Sequence, residues 1–239
     1  MQIEIVLFDG FDELDALAPF EVLQNAASAG ADFSVRLVSW SGKSEIVAAH
    51  GLRITVEIAT ASDPRPDLVI VPGGGWNSRS SQGARAEADR GVIPSRLAEL
   101  HQAGTIVAAV CTGAMLLASA KLLRGRSATT HHGAIDDLRA AGAEVVSARV
   151  VDDDTIITAG GVTSGLDLAL WLVERFAGAQ VAHEVELEME YERRGVVWRR
   201  VASECDPAVI SSGRSSPGRR CPDWRFLLLA AMLTLVTSP

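Results

Sequence analysis

Cysteine is scarce in this chain, with only Cys111, Cys205 and Cys221 among 239 residues. An odd number at such wide spacing makes no disulfide framework. A chain of this length has no need of one, because it can bury a sizeable core unaided. Aromatic residues are also few, at 5%, and there is a single tyrosine. Trp76, Trp171 and Trp198 are read as packing residues rather than a ligand cage. No excess of basic charge is present. The formal net charge is −8, which argues against a nucleic-acid binder driven by phosphate neutralisation. Long apolar runs are missing too. The longest, 226–236, is too short to span a bilayer as a helix. The opening MQIEIVLFDG has no basic stretch ahead of its apolar residues, so no secretory leader is expected. These absences point to a soluble, reducing, cytoplasmic setting with no membrane partner.

What is present is ordinary globular material, 48% hydrophobic and 22% charged, with 21 glycines and 9 prolines. The charge is unevenly spread. Residues 193–225 carry eight arginines against Glu204, Asp206 and Asp223, so an acidic body precedes a basic tail. The expected division is an α/β domain over 1–192 and a poorly ordered basic tail with a short apolar end over 193–239. Its arginines are read as solvated.

Solid apolar runs read as strands buried on both faces at 3–8, 68–71 and 105–110, with further strands at 33–39, 128–130, 144–146, 148–151 and 155–158. A short hairpin is expected around His50-Gly51, and Asp152-Asp153-Asp154 reads as a turn between two strands. Helical patterns fall at 14–29, 93–102, 113–123, 134–141, 164–176 and 179–191. Buried strands alternating with helices imply a three-layer α/β sandwich on a mostly parallel, flavodoxin-like sheet.

Ligands of such sheets bind beyond the carboxyl ends of the strands. The residues after each strand therefore form a shortlist. Asp9, Asp12, Glu13 and Asp15 follow the first strand, and Gly73-Gly74-Gly75 follow the run LVIV. Cys111-Thr112-Gly113 follow TIVAAV, and Gly160-Gly161 follow the strand ending at 158. Cys111 is the sharpest signal. It stands between a strand and an immediate helix, as in a nucleophile elbow, where a helix N-terminus favours thiolate. A buried structural cysteine is the competing reading. Asp15 is either a pocket acid or a helix-start acid that satisfies free amides. Glu21, six residues on, is rotated away from the face of Asp15. Thr112 stands where it could hold a reacting group, or is an ordinary first-turn threonine. Gly74 and Gly75 offer amides to an oxyanion or simply end a strand. His131 and His132 are acid/base candidates, with turn capping the favoured reading. No metal-ligand spacing is evident, and His183-Glu184 lacks the second histidine of a zinc helix.

Taken together, LFDGFDELDALAPFEVL, LVIVPGGG, TIVAAVCTGAMLLASAKLLRGRSATTHH and VVDDDTIITAGGVTSGLDLALWLVE resemble the ThiJ/PfpI superfamily, related in fold to class I glutamine amidotransferases. These segments frame residues 3–191. Within the superfamily, the resemblance is closest to the isonitrile hydratases. It implies a cysteine-dependent hydro-lyase that needs no cofactor, adds water to an isocyanide and forms a homodimer. Cys111 would be the nucleophile, Asp15 the acid/base and Thr112 a positioning group, with Gly74, Gly75, Gly113 and His131 lining the substrate or oxyanion site. Protease-like members carry His directly after the cysteine, where this chain has Thr112. Two other outcomes of the resemblance are a glyoxalase- or deglycase-like enzyme, which would draw on Glu21, and a redox or ligand sensor like the N-terminal domains of AraC-type regulators.

Overall fold

The structure, a computed structural model, describes residues 1–60 and 63–200. Cys205, Cys221, the apolar run 226–236 and most of the expected tail lie outside the described residues. A compact unit extends from Met1 to Arg200.

The strands are β1 (Gln2–Val6), β2 (Ser34–Ser39), β3 (Glu45–Val47), β4 (Arg53–Thr55), β5 (Glu57–Ile58), β6 (Leu68–Val71), β7 (Ile106–Ala109), β8 (Ser127–Ala128), β9 (Glu144–Val145), β10 (Val150–Asp153), β11 (Ile156–Ala159) and β12 (Val197–Arg199). The helices are α1 (Glu13–Ser28), α2 (Ala84–Arg90), α3 (Val92–Gln102), α4 (Ala114–Ser119), α5 (Ile135–Ala140), α6 (Ser164–Ala177) and α7 (Ala179–Glu188). Eight strands form one sheet in the order β12-β10-β11-β7-β6-β1-β2-β5. The run β2-β1-β6-β7-β11 is parallel throughout and has the flavodoxin-like strand order. Helices flank the sheet. α1, α6 and α7 pack on one another, and α2 to α5 form a second group. The sheet's centre is sealed on both faces, with all of β6 and Val107–Ala109 of β7 fully buried. That is why these strands read as unbroken apolar runs. Among the described residues no helix is long and apolar enough to cross a membrane.

Three expectations are corrected. The helix anticipated at 113–123 is a 3-10 turn, Cys111–Gly113, followed by α4, which stops at Ser119; Lys121 then adopts φ 62°. Asp152 and Asp153 are not in a turn. They end β10, buried, and the reversal falls at Asp154, whose φ is 68°. The arginines just beyond 192 are solvated only in part: Arg194 and Arg199 are exposed, whereas Arg193 and Arg200 are held by acids of the body. Arg200 pairs with Asp153, Arg193 bonds Glu174 and Glu186, and β12 adds to the sheet edge beside β10. The compact unit therefore runs eight residues past the expected boundary.

Asp152 joins this edge to α6. Its Oδ2 accepts from Trp171 Nε1 at 2.8 Å, and Oδ1 accepts from Arg175 Nη1 at 2.8 Å. Asp152→Ala would leave the buried Trp171 N–H without its acceptor and would take from Arg175 its buried carboxylate, leaving it Asp154 alone. We expect a loss of about 2–3 kcal/mol in urea denaturation. A loss below about 1 kcal/mol would show that other contacts anchor the edge.

Candidate active site

The site forms where four loops meet at the carboxyl ends of β1, β6, β7 and β11. Backbone packing there leaves little room. A Cβ on Gly113 would come within 2.2 Å of the Val71 carbonyl oxygen, and one on Gly73 within 2.5 Å of Thr112 N. The turn after β7 can lie against the end of β6 only with glycine at both positions. Gly74, at φ +117°, lies equally close to the loop after β1, where a Cβ would be 2.5 Å from the Gly10 carbonyl oxygen.

Cys111 is the first residue of the 3-10 turn after β7, and its φ is 57°. A left-handed backbone at a residue with a side chain costs roughly 1–3 kcal/mol and persists only where its surroundings impose it. Two hydrogen bonds do so here. The Cys111 amide donates to the Gly160 carbonyl at 2.8 Å, and the Cys111 carbonyl accepts from Thr130 Oγ1 at 2.8 Å. The cysteine is thus placed on a strand-to-helix elbow, as expected, and is only 6% exposed.

Asp15 belongs to the first turn of α1, which Asp12 caps by accepting from the Leu14 amide. The Asp15 side chain is fully buried. Its Oδ2 accepts from the Gly73 amide at 2.9 Å, while Oδ1 has no partner that meets hydrogen-bond geometry. The thiol of Cys111 neighbours this carboxyl. Burial, reinforced by the nearby charge of Asp12, pushes the Asp15 carboxyl up to about 7, against the pull of the Gly73 amide. Burial also pushes the Cys111 thiol up to about 12, and the charge of Asp15 adds to this. Burial and the Asp15 charge thus work against the thiolate expected from a helix N-terminus. α4 is short, and desolvation beside a carboxylate opposes its dipole. Two backbone amides oppose this push, those of Val162 and Thr112, which hydrogen-bond the sulfur.

Several anticipated groups take different places. The Gly74 amide donates to Thr112 Oγ1 at 3.0 Å and the Gly113 amide to the Val110 carbonyl at 2.9 Å, so neither is free for an oxyanion. Thr112 is buried and braces the glycine loop. Gly75, at φ +69°, accepts from the Ser80 amide. His131 caps the next turn: its Nδ1 accepts from the Gly133 amide at 3.1 Å and lies 3.2 Å from Asn77 Nδ2. Burial, with His132 beside it, lowers the His131 pKa. It lies against Gly161, where a Cβ would come within 2.6 Å of its Cδ2. Glu21 is exposed on α1 and does not join the site. His50, read as a loop residue, pairs with Glu13 through Nδ1 at 2.6 Å. Among the described residues no cluster of three or more His, Cys, Asp or Glu is arranged to hold a metal ion.

Two contributors had no clear signal in the sequence. Val162 has φ 43°, an outlier for a β-branched residue, and this brings its amide to the sulfur. Only the preceding Gly160-Gly161 marked that loop as part of the rim. Thr130, beside the candidate His131, carries no pattern that marks it as a partner of Cys111. A groove of about 620 Å³ borders the elbow on this side, lined in part by Thr130, His132, Arg149, Gly160, Gly161 and Ser164.

A mostly parallel α/β sandwich with its cysteine on a strained elbow, facing a buried carboxyl from the first helix, defines the class. The model of the DJ-1/PfpI family matches residues 1–175, and the chain belongs to that family. It is 34% identical over 193 residues to an isonitrile hydratase from Pseudomonas putida, covering 80% of this chain and 78% of that protein. It is 28% identical to the Parkinson disease protein 7 homolog of Danio rerio, covering 76% and 93% of the two chains. Among solved structures, a ThiJ/PfpI family protein from Pseudomonas syringae superposes with a TM-score of 0.72 at 27% identity, covering 81% of this chain and 76% of that one.

The carboxyl's displacement has a measurable sign. The folded state holds the Asp15 proton more tightly than the unfolded chain, whose carboxyl titrates near 3.8. Ionisation therefore subtracts stability as the pH rises from about 4 to about 7, and the deficit is fully present above that. Asp15→Asn keeps an acceptor for Gly73 without the charge. At pH 8 it should be more stable than the parent by about 2–4 kcal/mol, the gain vanishing near pH 4. Thermal unfolding at the two pH values checks this.

Proposed function

We propose that this protein is an isonitrile hydratase-like hydro-lyase, which adds water to an isocyanide to give an N-substituted formamide. The observation that carries the reading is the pairing of the elbow thiol with a buried carboxyl that titrates near neutrality. An isocyanide needs both a nucleophile and a proton at the same carbon. In the first half-reaction, Asp15 accepts the thiol proton as sulfur bonds to the isocyanide carbon, and returns it to that carbon. The product is a thioimidate, R–N=CH–S–Cys111. In the second half, Asp15 takes a proton from water as the water oxygen adds to the same carbon, and passes that proton to the nitrogen, giving R–NH–CH(OH)–S–Cys111. The adduct then collapses: its hydroxyl proton passes through Asp15 to the departing sulfur, the C–S bond breaks, and R–NH–CHO is released with the Cys111 thiol restored. No external electron or cofactor enters the balance. A group titrating near 7 suits both directions of proton transfer. The 34% identity with an isonitrile hydratase supports the same reading.

Two rival readings fare less well. A glyoxalase-like site built on Glu21 would need a side chain that instead points to solvent. Redox-sensor cysteines have low pKa values and are accessible, whereas Cys111 is buried and its thiol is raised to about 12. We carry a homodimer as part of the proposal. Leu14 on α1 and Leu52 beyond the hairpin tip are exposed, on two segments joined by the His50–Glu13 pair, and a second copy would cover them.

Purified protein should convert cyclohexyl isocyanide to N-cyclohexylformamide, followed by chromatography. Cys111→Ala should abolish turnover, and Asp15→Asn should reduce it by at least about 100-fold, the scale of a lost acid/base group. Full turnover by either variant would overturn the mechanism. D-lactate from methylglyoxal, with no formamide from the isocyanide, would move the protein to the glyoxalase-like reading.

A further inference from the structure

We propose that Thr130 is a positioning residue for Cys111: its hydroxyl fixes the strained elbow and polarises the peptide unit whose amide faces the Cys111 sulfur. Thr130 is 3% exposed, and its Oγ1 donates to the Cys111 carbonyl at 2.8 Å across nineteen residues of chain. That carbonyl belongs to the peptide joining Cys111 to Thr112. The N–H at the other end of the same peptide is the Thr112 amide, one of the two that bond the thiol. A donor on the oxygen of an amide withdraws density from its nitrogen and strengthens the N–H as a donor, the cooperativity of chained hydrogen bonds. The relay runs from the Thr130 hydroxyl through the Cys111–Thr112 peptide to the Cys111 sulfur. It favours negative charge on that sulfur as a proton leaves it.

The surroundings suit a fixed relay. The Thr129 amide donates to Thr158 Oγ1 at 2.9 Å, pinning this stretch to β11. From the same side, the Gly160 carbonyl, one residue past β11, accepts the Cys111 amide at 2.8 Å. Both polar ends of Cys111 are thus tied to the β8 and β11 loops, and φ 57° is maintained without glycine.

The inference rests on Cys111 as the reacting group. It can be read from the thiol alone, so it stands or falls separately from the isocyanide chemistry. The experiment measures the rate of iodoacetamide alkylation of Cys111 between pH 7 and 10 in the full-length chain. A variant with Cys205 and Cys221 changed to serine serves as the parent. Thr130→Val removes the hydroxyl at nearly constant volume, and Thr130→Ser retains it. We expect Thr130→Val to slow alkylation at least about threefold at each pH, half a pKa unit, with Thr130→Ser matching the parent. The direction separates the relay from a structural role, because loosening the elbow would expose a buried thiol and speed its alkylation. An unchanged or faster rate in Thr130→Val would overturn the proposal. If Thr130→Val does not show a cooperative melt, Thr130→Ala is read in its place with the same two outcomes.

Discussion

The arrangement depends on one buried carboxyl. Asp15 is removed from water by the first turn of α1, held by the Gly73 amide and set beside the thiol of Cys111. An ionised carboxylate in that position is costly, so the group titrates near neutrality instead of near 4. The same hydrogen bond ties α1 to the loop after β6. In turn, that loop admits the Cys111–Gly113 turn only because glycine stands at positions 73 and 113. Acid, glycine loop and elbow are therefore one mechanical unit. The carboxyl that is unfavourable for stability is the one that reports and enforces their spacing.

Strain is distributed along the same lines. Cys111 and Val162 both occupy the left-handed region, although neither is glycine, and they come from loops that meet at the sulfur. Cys111 is held by a bond from a third segment, through Thr130, and Val162 by its own turn into α6, where its carbonyl accepts from the Gly165 amide at 3.1 Å. Strained backbone clustered around one atom is what a preorganised site looks like when the protein aims amides rather than charged side chains.

Much of the fold was legible in the residues. The runs LVIV and TIVAAV are apolar at every position because helices cover both faces of β6 and β7, and burial on both faces erases alternation. The rim rule brought Asp15, Thr112 and Cys111 onto one list, and the structure places them together. Other features were hidden because they depend on pairing between distant segments. Asp152 and Asp153 look like a turn in sequence and become strand residues only because Trp171, Arg175 and Arg200 supply partners. β12 was invisible for the same reason, since three residues acquire strand character from the edge of β10. Gly74 by position, and Gly113 through the resemblance, stood as candidates for the substrate or oxyanion site, yet the amide of each is used internally. A thiolate was expected from the helix end, where burial and the Asp15 charge push the other way.

β12 also bears on how the protein can be handled. The central sheet ends in very short strands on both sides, two residues in β5 and three in β12. Short outer strands present few open amides and carbonyls to another chain. A chain trimmed at the end of α7 would lose β12 and Arg200 together. It would leave the apolar backbone of Val150–Val151 as an open template and bury the Asp153 carboxylate without its terminal arginine. Such a fragment would retain every residue of the site and still invite edge-to-edge aggregation.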